Sequence, residues 1–318
     1  MSGLQLTTLW RRALRLVGPG DVPVARPLAG GTAQRVDELA ELRCLELPPP
    51  DRRRWDQAVA ASPDAVPVLR RQLASTGDIS AVLELADHWG DWTPAVRNAV
   101  ADPVSRLARR ARQTDQTTCG SACLVLLAAA GDPGLAGWLA AGTVQRHGAP
   151  RELSAADPSR LEDLGAASAA VRFGILQRVV KSRSNARSVL GLPWPAASGT
   201  PPWGAAREAR HLGTSFEHRV VDDTDATHLR AVLSRLRRAL DCGTPVPLYV
   251  GGDTSRGWST ALPRHVVLAV RTTPDGYTVW EPSAGALLEL STEEVLRGGV
   301  PLAALGGWSH LMGAVLPR

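Results

Sequence analysis

Lysine is almost missing from this sequence. Lys181 is the only one among 36 basic residues, so arginine carries nearly all the positive charge behind a net +5 at pH 7. Alanine, glycine, proline and tryptophan are abundant beside it, a composition expected of GC-rich coding. That bias accounts for the arginines more simply than a nucleic-acid partner does. The densest basic clusters, Arg52 to Arg54 and Arg109 to Arg112, are short and lie among carboxylates. They offer no continuous stripe for a phosphate backbone, and no nucleic-acid role is expected. Cysteine is scarce as well. Cys44, Cys119, Cys123 and Cys242 form no Cys-x-x-Cys pair and no Cys/His cluster at zinc spacing, so neither a metal nor an organic cofactor is expected. A chain of 318 residues buries enough core to need no disulfide staples. Free thiols in a reducing compartment follow, hence a cytoplasmic location, with export by a leaderless route left open.

Long apolar runs are also lacking. None approaches the length of a membrane span, so no integral membrane segment is expected. Leu4 to Val17 is interrupted by Thr7, Thr8, Arg11, Arg12 and Arg15, which excludes a secretory signal and suggests instead an amphipathic helix docked on the body of the protein. With 44% hydrophobic and 21% charged residues the balance is that of a globular protein.

What is present divides the chain. Residues 1–105 read as a helical N-terminal domain, with apolar residues at helical spacing in Val36 to Leu47, Trp55 to Leu73, Ile79 to Trp89 and Trp92 to Leu107. Pro48-Pro49-Pro50 ends one helix, and Asp51 is placed to cap the next. Residues 106–318 read as a second domain with an insertion at about 145–225. Its first element is a buried helix, Cys119 to Ala130, closed by Gly131-Asp132-Pro133-Gly134. The insertion contains a long helical stretch, Leu161 to Val180, and a Pro/Gly/Trp-rich connector, Leu192 to Gly204, in which regular structure is not expected. A further helix covers Thr227 to Leu240. The period then changes to β: strands at Val246 to Val250, His265 to Arg271 and Tyr277 to Trp280, the last two around a Pro274-Asp275-Gly276 turn, and at Leu287 to Leu290. Ser291-Thr292-Glu293-Glu294 matches a capping box. Helices first and antiparallel strands later make an α+β fold.

One constellation carries chemistry. Cysteine acyl transfer needs a thiolate, an imidazole to hold it, a group to orient the imidazole and donors for the oxyanion. Cys119-Gly120 opens an apolar helix, where free amides and the helix dipole favour a thiolate. His265 begins the long strand of the hairpin, and the turn brings Glu281 back alongside it. Asp253 and Asp275 are its rivals as orienter, Asp275 being more simply a turn residue. The Cys119 amide and the side chain of Gln113, favoured over Gln116, are the candidate oxyanion donors. Gly120 and Trp258, the latter in the loop before His265, are candidate substrate-binding residues. Cys44, Cys123 and Cys242 read as small buried hydrophobes, and the other histidines as structural or exposed.

The run Gln113-Thr-Asp-Gln-Thr-Thr-Cys119-Gly-Ser-Ala-Cys123-Leu, the strand Pro245 to Val250, His265-Val-Val-Leu and Trp280-Glu281-Pro282-Ser-Ala-Gly together resemble the bacteriocin-processing leader peptidases, papain-like domains found on ABC transporters. The Cys119-to-His265 interval falls within the roughly 130–150 residues that papain-type enzymes use. The resemblance covers about 110 to 140 and 228 to 300. It implies a papain-like fold, Cys119 as nucleophile, His265 as base, Glu281 as orienter and Gln113 as oxyanion donor. Glu281 departs from the usual Asp or Asn, Thr118 from the usual acidic or aromatic residue, and no transporter segment follows. The expected function is thus a cysteine peptidase acting on a peptide or protein. The alternatives are a transamidase or acyltransferase using the same thioester, or a non-catalytic peptide-binding module.

Overall fold

The computed structural model describes residues 32–153, 158–186, 192–253 and 262–318. The expected helix at Leu4 to Val17 and the candidate Trp258 lie outside these residues. The described residues open with six α-helices: α1 (Thr32–Glu46), α2 (Pro49–Ala61), α3 (Val66–Thr76), α4 (Ile79–Asp91), α5 (Pro94–Ala101) and α6 (Pro103–Leu107). Their ends follow local chemistry. Pro49 occupies the first turn of α2, where its missing N–H costs nothing, so the helix starts before Asp51 and that residue lies inside the first turn rather than capping it. The apolar run Trp55 to Leu73 breaks at Ser62-Pro63, because Pro63 cannot continue the ladder of α2. Asp78 Oδ1 accepts from Ser80 N at 2.8 Å to start α4.

Helix α7 (Cys119–Gly131) is buried along its whole length except at Ala130. A helix apolar on every side must lie inside the protein, and α7 lies between β3 (Pro263–Thr272) and α10 (Ala169–Asn185). Asp132 ends it and caps α8 (Pro133–Ala141), accepting from Leu135 N at 3.1 Å. Among the described residues no single helix is long and apolar enough to cross a membrane. The pair α7 and α8 passes by length and composition but bends by 115° and is buried.

The stretch Leu161 to Val180 is two helices, α9 (Pro158–Gly165) and α10, because Ser168 accepts from Val171 N at 3.4 Å and begins a new one. The connector expected to be irregular contains a 3-10 turn at Ala196–Ser198 and leads into α11 (Pro202–Glu208).

The sheet has six antiparallel strands in the order β1 (Phe216–Val220), β6 (His310–Pro317), β2 (Val246–Gly251), β3, β4 (Gly276–Glu281), β5 (Ala286–Ser291). Together with the helices it makes an α+β architecture. Two of the strands, β1 and β6, were not read from the sequence. Strand β6 is buried at every position, so it shows no alternation.

The sheet is covered on both sides, and side-chain alternation sorts its residues between two cores. Tyr249, Val266, Leu268 and Trp280 join α7 and the front helices in one apolar cluster that reaches from Trp55 and Leu69 to Val315. Leu248, Val250, Val267, Ala269 and Val279 face α12 (Ala226–Asp241), which carries Leu229, Val232, Leu233 and Leu236 into the second cluster. The front helices therefore share one core with α7 and the sheet. Full burial of side chains such as Leu69, Leu126 and Leu268 contributes about 1.5–3 kcal/mol each. After β5, α13 (Thr292–Arg297) begins with the expected Ser291–Glu294 capping box.

Candidate active site

The segment before α7 is wound tightly by its own polar side chains. Thr118 Oγ1 accepts from Thr114 N (3.0 Å) and Asp115 N (3.1 Å), and Asp115 Oδ1 accepts from Thr117 N at 2.7 Å. It is also tied to the turn after β4. Gln113 N donates to Pro282 O at 2.9 Å, Arg112 donates two bonds to Ser283 O, and Trp280 Nε1 donates to Ala108 O at 3.2 Å. Gly285, with φ of 64°, lets the backbones meet: a Cβ there would lie 2.6 Å from Arg112 Cγ and 2.9 Å from Ala108 O. These ties join Cys119 to Glu281 across more than half of the chain.

Cys119 is the first residue of α7 and is 5% exposed. The first N–H groups of a helix have no intrahelical acceptor, so the thiol sits where an anion is favoured. His265 lines the same cavity as that thiol. Its Nε2 is 2.7 Å from Glu281 Oε1, which leaves Nδ1 for the sulfur. The Glu281 carboxylate also accepts from Ser283 N (3.0 Å), Ser283 Oγ (2.7 Å) and Ala284 N (2.6 Å). Burial pushes Glu281 up, but the bonds from His265, Ser283 and Ala284 outweigh it and hold the carboxyl down to about 2. Burial likewise pushes His265 down, while the hydrogen bonds to Cys119 and Glu281 and their charges raise it to about 9.

A β-bulge decides that these two side chains can meet. Leu268 pairs with Trp280 and Ala269 with Val279, but Arg271 pairs with Thr278, so one extra residue of β3 is accommodated at 270. Side chains alternate with a period of two, so if residue 270 were paired in the register set by the turn, Glu281 would lie opposite Leu268 and point to the other face from His265. A second irregularity between Val250 and Gly251 leaves Arg264 unpaired just before His265. The turn after the 3-10 helix Ala303–Leu305 covers the pair: a Cβ on Gly306 (φ 66°) would come 2.6 Å from His265 Cδ2 and 2.8 Å from Nε2.

Cys119 and His265 open onto a cavity of about 120 Å³ with Gln116, Thr117, Thr200 and Tyr249 in its walls. Gln113 is not in those walls. Its backbone serves Pro282, and its Oε1 is buried with no hydrogen-bond partner among the described residues. Gly120 is covered by Thr200, whose Cβ would lie 2.8 Å from an added Cβ there, so the side chain facing that part of the cleft is the threonine. Asp253 lies 3.6 Å from His310 Nε2, and His310 Nδ1 is 2.9 Å from Asp223. Asp275 is in the β3–β4 turn and accepts from Thr292 N. Cys123 Sγ faces Val266 O at 3.5 Å, and burial pushes its thiol well up, the setting of an inert thiol. Cys44 is half-buried and Cys242 buried; all four cysteines are free.

Sequence reasoning missed Thr200, Tyr249 and Gly306. Thr200 lies in a connector with no period to read. Tyr249 carries a hydroxyl on a strand that reads as core. The Gly306-Gly307 pair signals a turn but not what the turn covers. No family model, no curated protein and no solved structure matches this chain.

Proposed function

We propose that the protein is a papain-like cysteine peptidase, similar in its catalytic half to the bacteriocin-processing leader peptidases, which cleaves a peptide or protein through a Cys119 thioester. The observation that carries the reading is a thiol at a helix N-terminus sharing one cavity with His265, whose Nε2 lies 2.7 Å from a buried carboxylate. A histidine packed only for structure needs neither a thiol in the same cavity nor a carboxylate fixed by three further donors.

The mechanism follows from that arrangement. An imidazolium beside the sulfur stabilises the thiolate, which attacks the substrate carbonyl. The C–S bond forms as the carbonyl π pair moves onto oxygen, where backbone N–H groups at the start of α7 receive the charge. His265 then gives its proton to the leaving amine, the C–N bond breaks, and water resolves the thioester with His265 taking the proton back. Glu281 keeps the imidazole in one orientation and supports its charge. No step calls for a metal or an organic cofactor. The substrate is a peptide or protein rather than a nucleic acid, and free thiols fit a cytoplasmic setting.

The deciding experiment is the pH dependence of iodoacetamide alkylation, read by peptide mass spectrometry in the wild type and in His265→Ala. Rapid labelling confined to Cys119 near pH 6, lost in the variant, is the expected result. Slow labelling that begins only near the usual thiol range of about 8.5 and is equal in both proteins removes the peptidase reading. A non-catalytic peptide-binding module then takes its place.

A further inference from the structure

We propose that Thr200 is a catalytic residue whose hydroxyl donates to the substrate's carbonyl oxygen as charge develops on it. The segment 192–204, outside the part of the chain that resembles a peptidase, thereby completes the active site. The inference rests on the thioester reading above and assigns the second oxyanion donor within it.

Four observations converge. Thr200 lines the same cavity as Cys119 and His265. It is 5% exposed, and its Oγ1 is buried with no hydrogen-bond partner among the described residues. A buried hydroxyl left unpaired is unfavourable, and valine would fill the same space without that cost. The hydroxyl lies against the first turn of α7, 3.1 Å from where a Cβ on Gly120 would stand. There it adjoins the free amides that receive the oxyanion.

The segment is also held from behind. Tyr249 Oη donates to Thr200 O at 3.0 Å and Asn185 Nδ2 to Gly199 O at 3.1 Å, so the two carbonyls flanking the threonine's attachment are fixed by buried donors. Fixing a donor before reaction is what makes it effective, since no reorganisation remains when charge appears. The glutamine that the sequence pattern favours for this task, Gln113, lines no part of the cavity.

The test uses 4-nitrophenyl acetate, which requires an oxyanion, beside iodoacetamide, which requires only the thiolate. With the ester, the sulfur lone pair forms the C–S bond and the carbonyl pair moves to oxygen. Its return expels 4-nitrophenolate with the bonding pair, leaving acetyl-Cys119. Thr200→Val is expected to slow acylation about 10²-fold while alkylation of Cys119 keeps its wild-type rate and pH dependence. Thr200→Ser is expected to restore most of the loss.

Three results overturn the proposal. They are acylation at the wild-type rate in Thr200→Val, equal slowing of both reactions in that variant, and the selective loss in Gln113→Leu in its place. If the wild-type thiol itself alkylates no faster than that of His265→Ala, the peptidase reading fails first and takes this inference with it.

Discussion

The two walls of the cleft are built differently. The proposed catalytic wall joins residues far apart in sequence, Cys119 on α7, His265 on β3 and Glu281 on β4, through charge and strand register. Another part of the wall, residues 198–200, comes from a short connector held by hydrogen bonds to backbone carbonyls from Asn185 and Tyr249. The first arrangement sets protonation states, with His265 raised to about 9 and Glu281 lowered to about 2. The second sets only position. Charge is tuned where the proposed chemistry moves protons, and neutral bonds suffice where a donor has to be held in place.

Substitutions separate the two walls by the size of their effects. Cys119→Ala abolishes ester acylation, and His265→Ala lowers it by about 10⁴-fold, the scale on which triad members act. Burst amplitude and rate with 4-nitrophenyl acetate check both. Glu281→Gln keeps the shape but turns one of the two acceptors into a donor, facing either Ser283 N or Ala284 N. Turnover is expected to fall by about 10²-fold, and the fast alkylation near pH 6 to weaken in parallel.

Gly306→Ala pushes a methyl into the imidazole, 2.6 Å from Cδ2, and places alanine at a φ of 66°. The expected loss is about tenfold in acylation with a shifted pH profile, together with about 1 kcal/mol of stability, read from the profile and a urea titration. Asn185→Ala, on the other wall, lowers acylation by a few-fold and leaves the pH profile of alkylation unchanged. An altered profile in that variant would erase the distinction between the walls.

Proton linkage gives a further test of the catalytic wall. His265 holds its proton up to about 9 against an ordinary 6.5. The stability it contributes is therefore complete below pH 6.5 and is lost as pH rises through about 9. Glu281, held near 2 against an ordinary 4.5, contributes stability above pH 4.5 that is lost as pH falls toward 2. In thermal melts across pH, Glu281→Gln is expected to narrow the wild-type gap at the acid end. Above pH 9 acid-assisted turnover of a peptide falls with the imidazolium, whereas alkylation persists, because a thiolate needs no proton donor to react with iodoacetamide.

Local chemistry explains which parts were legible. The start of α7 at Cys119, the Asp275-Gly276 turn between β3 and β4, and the Ser291–Glu294 capping box each depend on residues within a few positions of one another. The neighbourhood of Glu281 and His265 was legible as an expectation from the hairpin, but its register was not. The extra residue in β3 that sets it answers to packing on both sheet faces rather than to any turn signal. Strand β6 was opaque for a related reason. Buried on both faces between β1 and β2, it shows an unbroken apolar run that suits a helix equally well.

Sequence alone determined the reactive set of residue types and the elements that bear them: a cysteine at the head of an apolar helix, a histidine opening a strand and a carboxylate past the turn. Those depend on periodicity and caps, which are properties of neighbours in the chain. Only the tertiary structure decided that Glu281 faces His265, that Gly306 closes over the ring and that Thr200 packs against Gly120 beside Cys119. Each of these contacts joins segments well separated in the chain. Their geometry is fixed by which apolar faces must be buried together, and no local pattern encodes that.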